Sequence, residues 1–362
     1  MADQTAVMDR ASDAGGSLAD AGRESLRGDS TTSLSSSGWI LGPTSDVLFI
    51  ANLFWPLIVL LPWSSAVEGH SAILFWQLYF LTTPHRWITL VLVLLDRPRF
   101  QQNQTAFLWR GIVIVAVCLT VRISTGTLTC LLAIDYVWNA WHFASQHHGI
   151  FRIYSRMGIS SSSVTSEKWL MRSFLLYVIF RTAGSAMLSM QVHHRWMSAD
   201  WIILLIPAWL VLREFRQFER RMAGRSLYLF SVLTLYVSLL GAVHSNQPAL
   251  ILALATASAW FHASEYLAVI SWHVQRRATA SDGAKSALSW LAPRWGLALL
   301  MFIVLLGSGA WMLDHELFEF WLLLNVIAAF LHYSFDGIIW KSGHRPRDPH
   351  RVVPATGTRP HA

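Results

Sequence analysis

The chain has 362 residues, of which 54% are apolar, 14% are charged and 13% are aromatic, with 19 Trp and a net charge of +7. A soluble domain carries about 25% charged residues, so this composition excludes an ordinary water-soluble fold and points to an all-α polytopic membrane protein. The basic excess reads as membrane topology, and no basic, aromatic-interleaved patch marks a nucleic-acid partner. Cys118 and Cys130 both lie in apolar runs without a CxxC partner, which excludes a disulfide framework or a thiolate zinc ribbon.

Residues 1–45, rich in Ser, Gly, Ala and Asp and lacking a signal-peptide core, are predicted to form a disordered cytoplasmic tail. About ten apolar runs follow across 46–340, near 46–66, 71–95, 105–123, 126–150, 168–190, 200–214, 226–246, 248–275, 295–313 and 317–340. Each approaches the ~20 residues that cross a hydrocarbon layer, the sixth being the shortest. The charged stretch Arg213-Glu214-Phe215-Arg216-Gln217-Phe218-Glu219-Arg220-Arg221 reads either as an interfacial helix or as a solvated loop. Residues 341–362 form a basic tail.

Loops after the even-numbered spans, together with the C-terminal tail, hold nineteen Lys or Arg, from Arg97 to Arg359, against two, Arg122 and Arg195, in the intervening loops. Short cytoplasmic loops collect positive charge. The expected protein therefore sits in the cell membrane with both termini cytoplasmic, its even-numbered spans all running inward.

Four of those inward spans carry a histidine deep in an apolar segment. His85, His142, His262 and His332 lie 14, 16, 14 and 15 residues from the outer ends at 71, 126, 248 and 317, a common depth of about 21–24 Å at about 1.5 Å per residue. Polar neighbours fall on the same helix faces, three or four residues apart. Span four carries Asp135, Asn139, His142 and Gln146, and His147 and His148 stand one turn further in. Glu265 follows His262 at i+3, and Asp336 follows His332 at i+4. Span two reads Thr82-Thr83-Pro84-His85-Arg86, where Pro84 removes a helix hydrogen bond.

Each ionisable side chain at the bilayer centre costs about 2.5–3.5 kcal/mol even on the gentlest scale, so these residues need partners. A single histidine there is ordinarily a hydrogen bond to a neighbouring helix. Four at one depth, two with helical-spaced acids, read instead as ligands of a transition metal, and a nitrogen/oxygen set without thiolates suits iron, zinc or manganese. The expected ligands are His85, His142, His147, His262, Glu265, His332 and Asp336, holding one or two ions. Asp135, Asn139 and Gln146 would orient them, and Arg86 would serve as counter-ion to Asp135 or Glu265. Two stacked haems would need histidine pairs at two depths on the same helices; a single bis-histidine haem stays as a lesser alternative.

The cluster His142-x4-His147-His148 resembles the histidine boxes of integral-membrane di-iron desaturases and hydroxylases. Pro84-His85 and His332-xxx-Asp336 are similar to patterns in bacterial membrane carotenoid-cleaving oxygenases. Both resemblances imply O2-dependent oxidation, by iron, of an apolar substrate such as an acyl chain or isoprenoid taken from the membrane lipids, with an electron donor as a further partner. The rival expectation is a proton- or cation-coupled transporter that uses the same His, Asp and Glu residues as a relay. A scaffold whose buried polar groups only specify helix packing is the third.

Overall fold

The computed structural model describes residues 38–64, 74–157, 165–187, 190–218, 222–280 and 287–340. The tail segments 1–37 and 341–362, the loop around Glu68 and residues 219–221 of the charged stretch lie outside the described residues. Among the described residues the chain is all-α, without strands.

The first helical segment breaks early. A π-turn at Asp46–Ile50 ends at Asn52, whose φ of 45° is a left-handed conformation that Asn tolerates, before α1 begins (Trp55–Ser64). The backbone exposed by the break finds side-chain partners, because Ser231 Oγ donates to Ala51 O (2.5 Å) and the Asn52 amide bridges Phe49 O and Ser264 Oγ. Residues 40 and 41, on the tail side, are tied to the bundle where their N–H groups donate to the Asp46 carboxylate at 2.7 and 2.8 Å.

A second π-turn, Leu78–Thr82, runs into α2 (Thr83–Leu95) just ahead of Pro84. Proline cannot supply an amide to the turn before it, and a π-turn is one way for a helix to absorb that loss. Then come α3 (Gln104–Thr125), α4 (Thr129–Met157), α5 (Thr165–Met187), α6 (Met190–Ile203) and α7 (Leu205–Arg216). The last four are α8 (Ala223–His244), α9 (Pro248–Ala280), α10 (Trp295–Glu316) and α11 (Phe318–Ile339). The stop signals are local: Gly126, at φ 68°, closes α3 in the left-handed conformation, and Pro248 opens α9 where its missing amide is no loss.

Among the described residues, seven helical segments are long and apolar enough to cross a membrane: Pro43–Leu60, Leu74–Leu95, Gln104–Thr125, Trp196–Arg216, Ala223–His244, Ala292–Glu316 and Phe318–Ile339. The fourth joins α6 to α7 and includes the short sixth apolar run. Over their most apolar windows the α3 and α10 segments are only 11% buried, leaving Trp109, Ile112, Ile123, Leu300 and Leu305 on the outside. Apolar patches of that extent need lipid or another apolar cover, and the chain is a multi-pass membrane protein.

The other three expected spans form helices of 29 residues (α4), 23 residues (α5) and 33 residues (α9) that fall outside the apolar group. The reason is visible in their sequences. Two of them, α4 and α9, carry the polar face of the candidate site, and α5 carries Glu167, Lys168, Arg172 and Arg181.

The site lies where two packed cores meet. One surrounds α8 through Tyr228, Tyr236, Phe174 and Phe261; the other joins α2, α9 and α10 through Ile88, Ile270 and Trp295. Helix α11 packs on α2, α3, α4 and α10 and so closes the ring of helices around the histidines. At Gly307 of α10 an added Cβ would stand 2.6 Å from the Phe80 ring and 2.9 Å from Tyr79 O, so α10 lies directly on the second π-turn.

Candidate metal centre

Helices α2, α4, α9 and α11 each give one imidazole to a closed four-membered ring. Successive ring centroids are 5.2 Å apart from His85 to His262, 5.2 Å from His262 to His142, 4.7 Å from His142 to His332 and 5.1 Å from His332 back to His85. Neighbouring planes stand steeply to one another, at 68–86°. His262 and His332 are fully buried, His85 is 1% exposed and His142 8%.

The nitrogens converge. His142 Nε2 and His332 Nε2 are 3.1 Å apart, and Asp336 Oδ2 lies 3.8 Å from His142 Nε2. Ligand atoms of His142, His332 and Asp336 all fall within 4.8 Å of one another. Two nitrogens bound about 2.1 Å from one ion stand about 3.0–3.4 Å apart for angles between right and tetrahedral, so the observed spacing already suits neighbouring ligands.

Three nitrogens of these four rings are buried without a hydrogen-bond partner among the described residues: His85 Nε2, His262 Nδ1 and His262 Nε2. His85 is held by its other nitrogen, with Nδ1 2.5 Å from Thr82 O. A carbonyl only accepts, so the proton belongs on Nδ1 and the Nε2 lone pair is left free. His262 is gripped by stacking instead, its ring centroid 3.7 Å from that of Phe143.

The expected ligands His147 and Glu265 form a second, adjoining group. His147 Nδ1 lies 3.1 Å from Glu265 Oε1 and 2.9 Å from Tyr228 Oη. Tyr228 Oη donates to Glu265 Oε2 (2.9 Å) and Gln146 Nε2 donates to Glu265 Oε1 (2.7 Å). Both His147 and Glu265 are fully buried, and the His147 ring is 6.3 Å from that of His262. A second bond from Gln146 Nε2 to His262 O (2.9 Å) links the groups. His148 is buried, outside both.

Asp135, Asn139 and Arg86 lie behind Tyr333. Its hydroxyl reaches Asp135 Oδ1 (3.1 Å) and Asn139 Oδ1 (3.0 Å), and its ring centroid is 4.9 Å from that of His142. Arg86 approaches Asp135 at 4.0 Å, one of the two acids the sequence offers it.

Sequence reasoning missed the hydroxyl groups. Thr89 Oγ1 is 2.6 Å from His332 Nδ1 and 2.5 Å from Tyr266 Oη, which donates to Asp336 Oδ1 at 2.6 Å. Thr89 is four residues beyond His85, and Tyr266 four beyond His262, so the same-face rule that found the acids would have found both. Tyr228 sits on α8, whose histidine, His244, stands at the far end of the helix and does not lead to it.

Three carboxyl groups border the imidazoles: Asp135 beside Arg86 at 4.0 Å, Asp336 beside His142 at 3.8 Å and Glu265 beside His147 at 3.1 Å. Comparison with family models, curated proteins and solved structures finds no match for this chain. The chemistry of the cluster therefore rests on its own side chains.

Proposed function

We propose that the four imidazoles and Asp336 hold a divalent transition ion, iron by preference, and that the protein is a cell-membrane oxidoreductase acting on an acyl or isoprenoid substrate inside the bilayer. The observation that carries this is the combination of three unpartnered, buried imidazole nitrogens with the Asp336 carboxyl group 3.8 Å from His142 Nε2. Unpaired polar atoms and uncompensated charge each cost several kcal/mol away from water. A divalent cation removes both penalties at once. The nitrogen/oxygen donor set suits iron, zinc or manganese, and among these iron offers O2 chemistry on an apolar chain.

When bound, the ion would supply the activation of O2. The residues around it supply the rest: Thr82 and Thr89 aim imidazoles, Phe143 fixes the His262 ring, and the burial of the site keeps water away. Glu265, which accepts from Gln146 and Tyr228 and lies 3.1 Å from His147 Nδ1, is held in place beside the centre.

The same proposal includes ten spans with both termini cytoplasmic. At 23 to 33 residues, α4, α5 and α9 measure about 35–50 Å at about 1.5 Å per residue, enough for a ~30 Å hydrocarbon layer. Some of their polar groups are met within the bundle, as where Arg181 on α5 pairs with Asp200 at 3.2 Å. The positive loops lie on one side of this arrangement.

The test compares extractable lipids and isoprenoids of cells making the wild-type chain or His262→Ala, grown with and without oxygen. A product that needs both oxygen and His262 is expected. Identical extracts in all four cultures, with wild-type protein present and folded, would remove the oxidoreductase reading.

A further inference from the structure

The link between Asp336 and His332 runs through two residues that no part of the functional reading requires as ligands. We infer that Thr89 and Tyr266 are positioning residues, which carry the pull of the Asp336 carboxylate to His332 Nδ1 and thereby fix the Nε2 lone pair toward the middle of the histidine ring. Its purpose rests on the metal-centre reading, but its geometry does not.

The direction of the chain follows from counting protons. Tyr266 has one hydroxyl proton and donates it to Asp336 Oδ1 at 2.6 Å. Toward Thr89, 2.5 Å away, the phenol can then only accept. Thr89 in turn has one proton and donates it to Tyr266. Toward His332 Nδ1, 2.6 Å away, Thr89 can only accept, so Nδ1 carries the ring proton. The lone pair is left on Nε2, the atom that faces His142 Nε2 at 3.1 Å.

Burial keeps the chain intact. Thr89 and His332 are fully buried, Tyr266 is 2% exposed and Asp336 7%, so water does not compete for the donors. Three helices take part: Thr89 on α2, Tyr266 on α9, and Asp336 with His332 on α11. His85 reaches the same tautomer by a shorter route, with the Thr82 carbonyl as acceptor. Asp336 thus has two faces, Oδ1 tied to Tyr266 and Oδ2 turned toward His142 at 3.8 Å.

Thr89→Val keeps the shape and removes the hydroxyl; Thr89→Ser restores it; Tyr266→Phe cuts the next link. Two measurements on the detergent-purified full chain separate the inference from the reading on which its purpose rests. In metal-free protein with 15N-labelled histidine, the His332 signal, assigned by its loss in His332→Gln, is expected to show the Nδ1–H tautomer. Thr89→Val should shift it toward Nε2–H, and Thr89→Ser should return it. With Co(II) as the probe metal, Thr89→Val and Tyr266→Phe should weaken binding about 10–100-fold and change the Co(II) absorption bands, whereas Thr89→Ser should stay close to wild type.

A His332 tautomer unchanged by Thr89→Val would overturn the relay, even if wild-type protein binds Co(II) tightly. A tautomer switch in a protein that binds no Co(II) would keep the relay and remove the metal centre. Equal Co(II) affinity and identical spectra in wild type and Thr89→Val would also overturn it, since the hydroxyl would then orient nothing that a ligand senses.

Discussion

Two buried polar clusters in this protein handle charge in opposite ways. Where α5, α7 and α8 meet, Glu167 lies 3.1 Å from Arg213 and 3.2 Å from Arg225, while Glu214 lies 3.1 Å from Arg225 and accepts from Ser226 Oγ at 2.5 Å. Two carboxylates meet two guanidiniums, and Arg225 also caps the face of Phe151 at 4.6 Å. The histidine ring and its flanks have three carboxylates, one guanidinium and three unpartnered imidazole nitrogens. The first cluster is matched in charge within the chain, with Arg225 Nε its unpartnered atom, and does the work of holding helices. On the proposed reading the second is complete only with a cation, and that difference would separate a structural network from a site.

Breaking the complete cluster should have the largest effect on folding. Arg225→Met strands Glu214 and leaves Glu167 to Arg213 alone, and removal of one member of a buried ion pair costs about 3–5 kcal/mol. Denaturation in detergent should show this loss equally with and without a metal chelator. Stability that recovers on adding metal would erase the distinction between the clusters.

In the incomplete cluster the sign reverses. His262→Ala and His332→Ala each remove a ligand from an arrangement already short of partners, so bound metal should fall by more than the roughly 100-fold that marks the upper end for outer partners. The metal-free proteins should melt close to metal-free wild type. Equal metal content in either variant would move that histidine out of the ligand set.

The smallest effect is expected from charge alone. Glu265→Gln keeps the shape within the Tyr228, Gln146 and His147 network, and Asp336→Asn keeps the contact with Tyr266. Glu265→Gln should weaken metal binding about 10–100-fold, and Asp336→Asn, which alters a proposed ligand, at least as much. Normal metal content in both, with a pH-gradient-driven flux in wild-type vesicles that the variants lack, would instead favour the proton-coupled transporter.

The histidines of this site are legible in the sequence because an imidazole is costly in an apolar helix, so four at one depth stand out against Leu, Ile and Phe. The acids Glu265 and Asp336 follow at helical spacing. Thr89, Tyr228, Tyr266 and Tyr333 are not legible in the same way. Threonine and tyrosine are ordinary in membrane helices, where a hydroxyl can turn to its own backbone or to a lipid headgroup, and only contact across helices shows which ones do otherwise.

Helix positions read well wherever the apolar run is uniform, as in 105–123 against Gln104–Thr125. They read poorly where backbone chemistry intervenes. The break at Asn52 and the division between α6 and α7 each lie four residues before a proline, Pro56 and Pro207, whose missing N–H takes the helical donor from the carbonyls of Asn52 and Ile203. Helices α4 and α9 show the limit of hydropathy from the other side, since the residues that make the site are those that dilute the apolar signal.

The claim at the centre of this account is that the histidine ring needs a cation to be complete, and elemental analysis of the detergent-purified full-length protein tests it most directly. About one divalent transition ion per chain is expected, lost on treatment with a chelator at low pH, where imidazoles must take up protons to let it go. Metal near zero across independent preparations, with no haem absorbance and no uptake when iron(II), zinc(II) or manganese(II) is offered, would contradict it.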